Sequence, residues 1–281
     1  MALEQESKYW MESEGERKRL ASNHFIAKDA MGGQLVRAPI DFSQPRKVID
    51  SGTWLLDLAS SLPKLATGSH EFVGTDLNPA PFPKGLPSDF TFAVQDIKKP
   101  WPESDHGRFD LVHQRLTLLG AGPNSSASIN HLYTITKPGG WVQISEGTMD
   151  FPSDVVNGER TPAYSNMLKI MRTIAGAVGA EWHIGNTLSG LLREAGFVNV
   201  KEEDVILNMG RTNADEVLAK EGAESCSVAI QGLSRFAKNL PSEKQPLPPA
   251  RYETLGQELQ AELMEKGAVY PLKVVWGRKP E

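Results

Sequence analysis

The chain has 281 residues, 40% hydrophobic and 23% charged, with a formal net charge of -5. That length and mix suit one globular domain with a sizeable core, and an acidic chain without a long basic run offers no footprint for a nucleic-acid backbone. A single cysteine, Cys226, excludes an intrachain disulfide and a cysteine-ligated structural zinc site; no apolar run reaches the roughly 20 residues of a membrane span.

The opening residues are polar and acidic, so no secretory signal is expected. Residues 5–23, rich in Glu, Lys and Arg, read as a solvated helix and residues 25–35 as a second one. Pro39 and Pro45 break the chain before the first strand. Residues 46–50 (RKVID) form a short strand ending in an acid, and 54–60 (WLLDLAS) a short helix. Residues 71–76 (EFVGTD) are a second strand ending in an acid, followed by a Pro-rich loop over 79–87. Residues 90–96 (FTFAVQD) alternate and again end in an acid, and 109–114 (FDLVHQ) make a fourth strand. A helix over 125–136 leads to the tight turn Pro138-Gly139-Gly140 and a fifth strand, 141–145 (WVQIS). The second half is more helical, with helices over 161–178, 187–195, 214–240 and 252–266, and strands over 197–207 and 269–277.

Strands alternating with helices predict an α/β fold. The expected architecture is a doubly wound, mostly parallel seven-stranded sheet with N-terminal helices and helical insertions in the second half. Residues 1–281 are expected to form a single domain: an N-terminal helical lid (1–40), a ligand-binding core (41–150), and a helical substrate-covering part with the last strands (151–281). Cys226, among small residues in a helical stretch, reads as packing.

Asp50, Asp76 and Asp96 stand at the carboxyl ends of three successive strands, where open parallel sheets bind ligands. An acid after the second strand suits a ribose, because a carboxylate accepts both hydroxyl protons. An acid after the third, followed by the aliphatic Ile97, suits the amine edge and face of an adenine. The same acids serve in other proteins as helix caps, so their order along three strands carries the signal.

The run from Lys47 to Ala59, then EFVGTDLNP, FAVQDI, FDLVHQR and KPGGWVQISE, resembles class I S-adenosylmethionine (SAM)-dependent methyltransferases. More narrowly, with ERKRLASNHF near the start and KVVWGRKP at the end, it resembles the fungal LaeA-like group of secondary metabolism. The resemblance implies that Asp50 and Gly52 border the cofactor, Asp76 binds the ribose, and Leu77, Asp96 and Ile97 hold the adenine. It sets His113 and Arg115 toward the methionine end or the substrate. It also implies a small, apolar metabolite as acceptor, with a protein partner as an alternative; the charge balance and the lack of a long apolar run predict no nucleic-acid or membrane partner and a cytoplasmic, or alternatively nuclear, location.

One stretch departs from the family. Its first loop normally reads like DxGTGTGIW, whereas here it is Asp50-Ser51-Gly52-Thr53-Trp54. About four residues are absent, roughly one helical turn, so the helix keeps its face toward the sheet while the cradle for a methionine carboxylate shrinks. Trp54 is thereby expected to move toward the nucleoside's space. The loop is either rebuilt around SAM, or the protein has lost methyl transfer and serves as a SAM-independent isomerase or cyclase, or as a regulatory partner. An NAD-type reading is disfavoured by the missing GxGxxG.

In-line methyl transfer needs chiefly alignment, with a base when the acceptor carries a proton. The candidates are His24, His113, Glu146 and His183. No metal is required, and no local zinc-ligand spacing is seen.

Overall fold

A computed structural model describes residues 14–50, 54–80, 82, 83 and 85–281. Its strands are β1 (Lys47–Asp50), β2 (Glu71–Asp76), β3 (Phe90–Val94), β4 (Phe109–Arg115), β5 (Thr136–Gly147), β6 (Val198–Met209) and β7 (Ala268–Arg278). Its helices are α1 (Glu14–Ala30), α2 (Trp54–Ser61), α3 (Ser125–Ile135), α4 (Ser153–Val156), α5 (Pro162–Val178), α6 (Ile184–Glu194), α7 (Glu216–Lys238) and α8 (Arg251–Lys266). The chain divides into two compact units.

The sheet unit comprises Gln34–Thr148, His183–Val205 and Leu272–Glu281. The seven strands run in the order β3-β2-β1-β4-β5-β7-β6. β1 to β5 pair in parallel, and β7 is antiparallel to β5. The winding reverses between β1 and β4, which makes their carboxyl ends the topological switch point.

Side chains alternate across a strand, and here the alternation feeds two cores. Val48, Phe72 and Leu111 point to one face, where they meet Trp54, Leu55 and Leu58 of α2. Their next neighbours Ile49, Val73 and Val112 point to the other, against Ile129 and Leu132 of α3 and Leu188 and Leu192 of α6. Such strands, covered on both sides, read as nearly continuous apolar runs. At the centre of β2, a Cβ on Gly74 would run into the Phe92 ring of β3, so any larger residue there requires that ring to move.

The helical unit takes in the described residues up to Gly33, Met149–Trp182 and Ile206–Pro271. The first turn of α5 leaves N–H groups without helical partners. Glu262 of α8 accepts two of them, from Ala163 at 3.1 Å and Tyr164 at 2.8 Å. Cys226 of α7 is buried, and burial pushes its thiol up to about 12, which suits packing and not nucleophilic chemistry. Among the described residues no helix is long and apolar enough to cross a membrane.

Three local expectations change. Within the described residues the two N-terminal helices are one, α1, because Asn23-His24 continues the helix and Gly32 and Gly33, both at positive φ, follow its end. Residues 5–13 lie outside the described residues. β3 ends at Val94, leaving Asp96 in the following turn. Pro138-Gly139-Gly140 is no free turn: β5 starts at Thr136, and a register irregularity against β4 absorbs the glycines.

Gln143, fully buried on β5, ties the segment before β1 to the sheet. Its Oε1 accepts N–H bonds from Arg37 (2.6 Å) and Ala38 (3.3 Å), and its Nε2 donates to the Leu35 carbonyl (2.9 Å). Gln143→Leu orphans all three groups and is expected to lower unfolding free energy by about 2–4 kcal/mol. Urea denaturation with an unchanged m-value tests it; a loss below about 0.5 kcal/mol contradicts it.

Candidate active site

The site is built at the carboxyl edge of the sheet unit. Asp50 ends β1 and pairs in register with His113 of the adjacent β4. The Asp50 carboxylate, 2% exposed, accepts a hydrogen bond through Oδ1 from His113 Nδ1 at 2.7 Å. A carboxylate only accepts, so the proton belongs on Nδ1 and Nε2 carries the lone pair. Burial lowers the His113 pKa, against the opposing pull of Asp50, and favours the neutral ring.

Trp54 opens α2 and stacks on that ring, with centroids 4.0 Å apart and planes within 9°. The indole at the start of α2 thus lies on His113. Residues 51–53, including Gly52, lie outside the described residues.

Asp76 ends β2 and is half-buried. Burial pushes its carboxyl up, N–H bonds from Asn78 and Leu77 pull it down, and the charge of Asp50 pushes it up further. Beside it Leu77 is 59% exposed, and Val94, its register partner on β3, is 57% exposed, an apolar ledge next to the acid. Asp96 and Ile97 are half-buried, and Asp96 Oδ1 accepts the Lys98 N–H at 3.0 Å. Arg115 ends β4, half-buried; burial lowers its pKa and the charge of Asp50 opposes that.

Glu146, near the end of β5, is buried, and its Oε1 accepts N–H bonds from Thr117 and Leu118, each 2.8 Å. It clamps the turn after β4. Within that turn Leu116 is held left-handed at φ 55° while its amide donates to the Ser145 carbonyl. Burial raises the Glu146 pKa to about 7, against those two N–H bonds.

His183 precedes α6, and its Nδ1 donates to the Thr148 carbonyl at 2.9 Å, which again leaves Nε2 as the lone-pair nitrogen. A Cβ on Gly185 would fall 2.7 Å from the Gly147 carbonyl and 2.9 Å from that of Glu146, so glycine brings α6 onto the end of β5. His24 lies on α1 in the helical unit, buried, with its ring edge-on to Phe25. Neither Leu116 nor Gly185 stood out in the sequence. A glycine just ahead of the predicted 187–195 helix was the available signal for the second.

No protein-family model matches the chain. N-methyltransferase sirN of Leptosphaeria maculans is 33% identical over 284 residues, spanning 98% of this chain and 96% of the relative. N-methyltransferase tcpN of Claviceps purpurea is 32% identical over 283 residues, covering 95% of each. The chain belongs to this family of fungal methyltransferases. It is a methyltransferase, and its fold agrees. Haemonchus contortus phosphoethanolamine N-methyltransferase 2, solved with phosphomonomethylethanolamine and S-adenosylhomocysteine, superposes with TM-score 0.54 at 13% identity. That match covers 98% of this chain and 60% of the other. A Haloferax volcanii chain in complex with the Trm112 methyltransferase activator gives 0.55 at 15% identity, over 96% of each. Both carry the Rossmann-like class I methyltransferase architecture.

Glu146 generates a pH prediction. The unfolded chain releases this proton near 4.5 and the folded protein near 7, so between those values the folded state binds more protons and stability falls as pH rises. Gln in its place still offers one oxygen to both amides. Glu146→Gln is expected to gain up to about 3 kcal/mol over the parent between pH 4.5 and 7. Parallel stability–pH curves contradict this.

Proposed function

We propose that this methyltransferase moves a methyl group from SAM to a nitrogen of a small, apolar secondary metabolite, within the LaeA-like group and in the cytoplasm. The observation that carries the reading is end-to-end similarity, at 33% and 32% identity, to two proteins named N-methyltransferases.

The residues fit the cofactor on a separate ground. Asp50 Oδ2 is buried without a hydrogen-bond partner among the described residues, next to a second carboxylate, which suits a ligand with positive charge. When bound, SAM supplies an electrophilic methyl on a cationic sulfur. Asp76 accepts the ribose hydroxyls; Leu77, Ile97 and Asp96 take the adenine. Arg115 lies toward the methionine end. His113, its ring fixed by Asp50 and Trp54, takes the proton from the attacking nitrogen at Nε2. Glu146 is a positioning residue in this scheme, because its near oxygen is committed to the turn after β4. His183, with its Nδ1 proton fixed by Thr148, is the second base candidate.

Calorimetry with SAM and S-adenosylhomocysteine tests the cofactor. Asp76→Ala and Asp96→Ala are each expected to weaken binding about tenfold or more, some 1.4 kcal/mol. No heat with either ligand at millimolar concentration overturns the reading. Methyl-13C SAM offered with a pool of fungal metabolites tests the atom: the new methyl is expected to show the carbon shift of N–CH3, and an O–CH3 or C–CH3 product contradicts nitrogen as acceptor.

A further inference from the structure

Among the described residues, three large apolar side chains stand exposed at the carboxyl ends of the parallel strands: Leu77 just after β2, Val94 at the end of β3 and Leu116 just after β4. Leu77 and Val94 form the ledge beside Asp76 that suits the nucleoside. Leu116 lies on the other side of β1, because β4 is the strand next to β1 there. It directly follows the strand that carries His113 and Arg115. Methyl transfer joins two molecules, and this second apolar group is left for the one that is not a nucleoside.

Folding alone gives little reason for a leucine at this position. Its φ of 55° is left-handed, a conformation that glycine adopts freely, that asparagine tolerates and that strains leucine. Its side chain is 40% exposed and belongs to neither core of the sheet. Leu118, two residues on, is fully buried in the core with Ile129 and Leu132. The turn itself is held by other groups. The Leu116 amide donates to the Ser145 carbonyl at 2.9 Å. The Thr117 and Leu118 amides donate to Glu146 Oε1, each at 2.8 Å, and the Thr117 hydroxyl donates to Gln114 Oε1 at 3.2 Å. None of these bonds uses the leucyl side chain. A well-tied turn thus presents an apolar group at the edge where open α/β sheets receive ligands, and ligand sites are lined mainly by such groups.

We propose that Leu116 is a specificity residue for the methyl acceptor, its isobutyl group forming an apolar wall against which the acceptor's body lies. A polar metabolite gains nothing from that wall, whereas an apolar one leaves water there. The assignment rests on the acceptor being a small apolar metabolite, as stated above, and names the residue that selects for it.

Two substitutions separate the side chain from the turn. Leu116→Gly removes the wall and relaxes φ; Leu116→Asn keeps a side chain that tolerates this φ and makes it polar. Both are expected to keep the urea midpoint at or above that of the parent. Both are expected to bind S-adenosylhomocysteine within about twofold of the parent by calorimetry. Methyl-labelled SAM is then offered with a pool of fungal metabolites, and the acceptor of the main labelled product is isolated. Its KM is expected to rise about tenfold or more in both variants while kcat changes less than about threefold. Leu116→Met, which restores an apolar side chain, is expected to recover most of that loss. A KM within about twofold of the parent in Leu116→Gly overturns the proposal. Weakened S-adenosylhomocysteine binding or a lower urea midpoint in both variants also overturns it, because the leucyl group then serves the turn. A parent protein that binds S-adenosylhomocysteine but labels no metabolite, or labels polar ones alone, rejects the apolar-acceptor reading and this inference with it.

Discussion

A buried carboxylate must find donors, and the architecture of this site follows from how Asp50 meets that demand. It stands at the end of β1, where the sheet's winding reverses, and β4 is the strand beside it. The register puts His113 opposite, and the imidazole supplies one donor. Trp54, which opens α2, covers the same ring. Its Oδ2 meets no donor among the described residues, so Asp50 is answered at one oxygen. The fold thus sets a partly satisfied anion at the place where open α/β sheets receive ligands.

The same edge holds a second buried carboxylate with a different duty. Glu146 accepts two backbone amides and holds the turn that follows β4, where Leu116 is left-handed. That conformation costs a non-glycine residue roughly 1–2 kcal/mol, which the clamp and the Ser145 bond offset. Two acids at the ends of β1 and β5 therefore differ in role. Asp50 faces an unmet need, whereas Glu146 is consumed by structure. Strain of this kind gathers at functional edges because the surrounding strands over-determine it.

Much of the sheet was legible from the sequence. β2 falls on the expected 71–76, and β1, β4 and β7 come within a residue or two, because runs such as FDLVHQR are apolar on both faces and end on polar groups. Seven strands, mostly parallel, follow from their alternation with helices. What escaped depends on partners distant in sequence. Glu146 looked like a free base because Thr117 and Leu118, its partners, lie 29 and 28 residues away. The departure of Trp54 from its family position was visible, but its resting place on His113 required the β1–β4 register. Asn23-His24 suggested a helix break that the continuous backbone hydrogen bonding of α1 overrides, and the glycines that follow mark the real stop.

A crystal structure with S-adenosylhomocysteine or sinefungin bound tests the central claim most directly. The expected result has ribose hydroxyls on the Asp76 carboxylate, the adenine on the ledge of Leu77, and Trp54 still flat on His113. A ligand bound away from the β1, β2 and β4 tips, or an indole swung off the imidazole to make room, would contradict it.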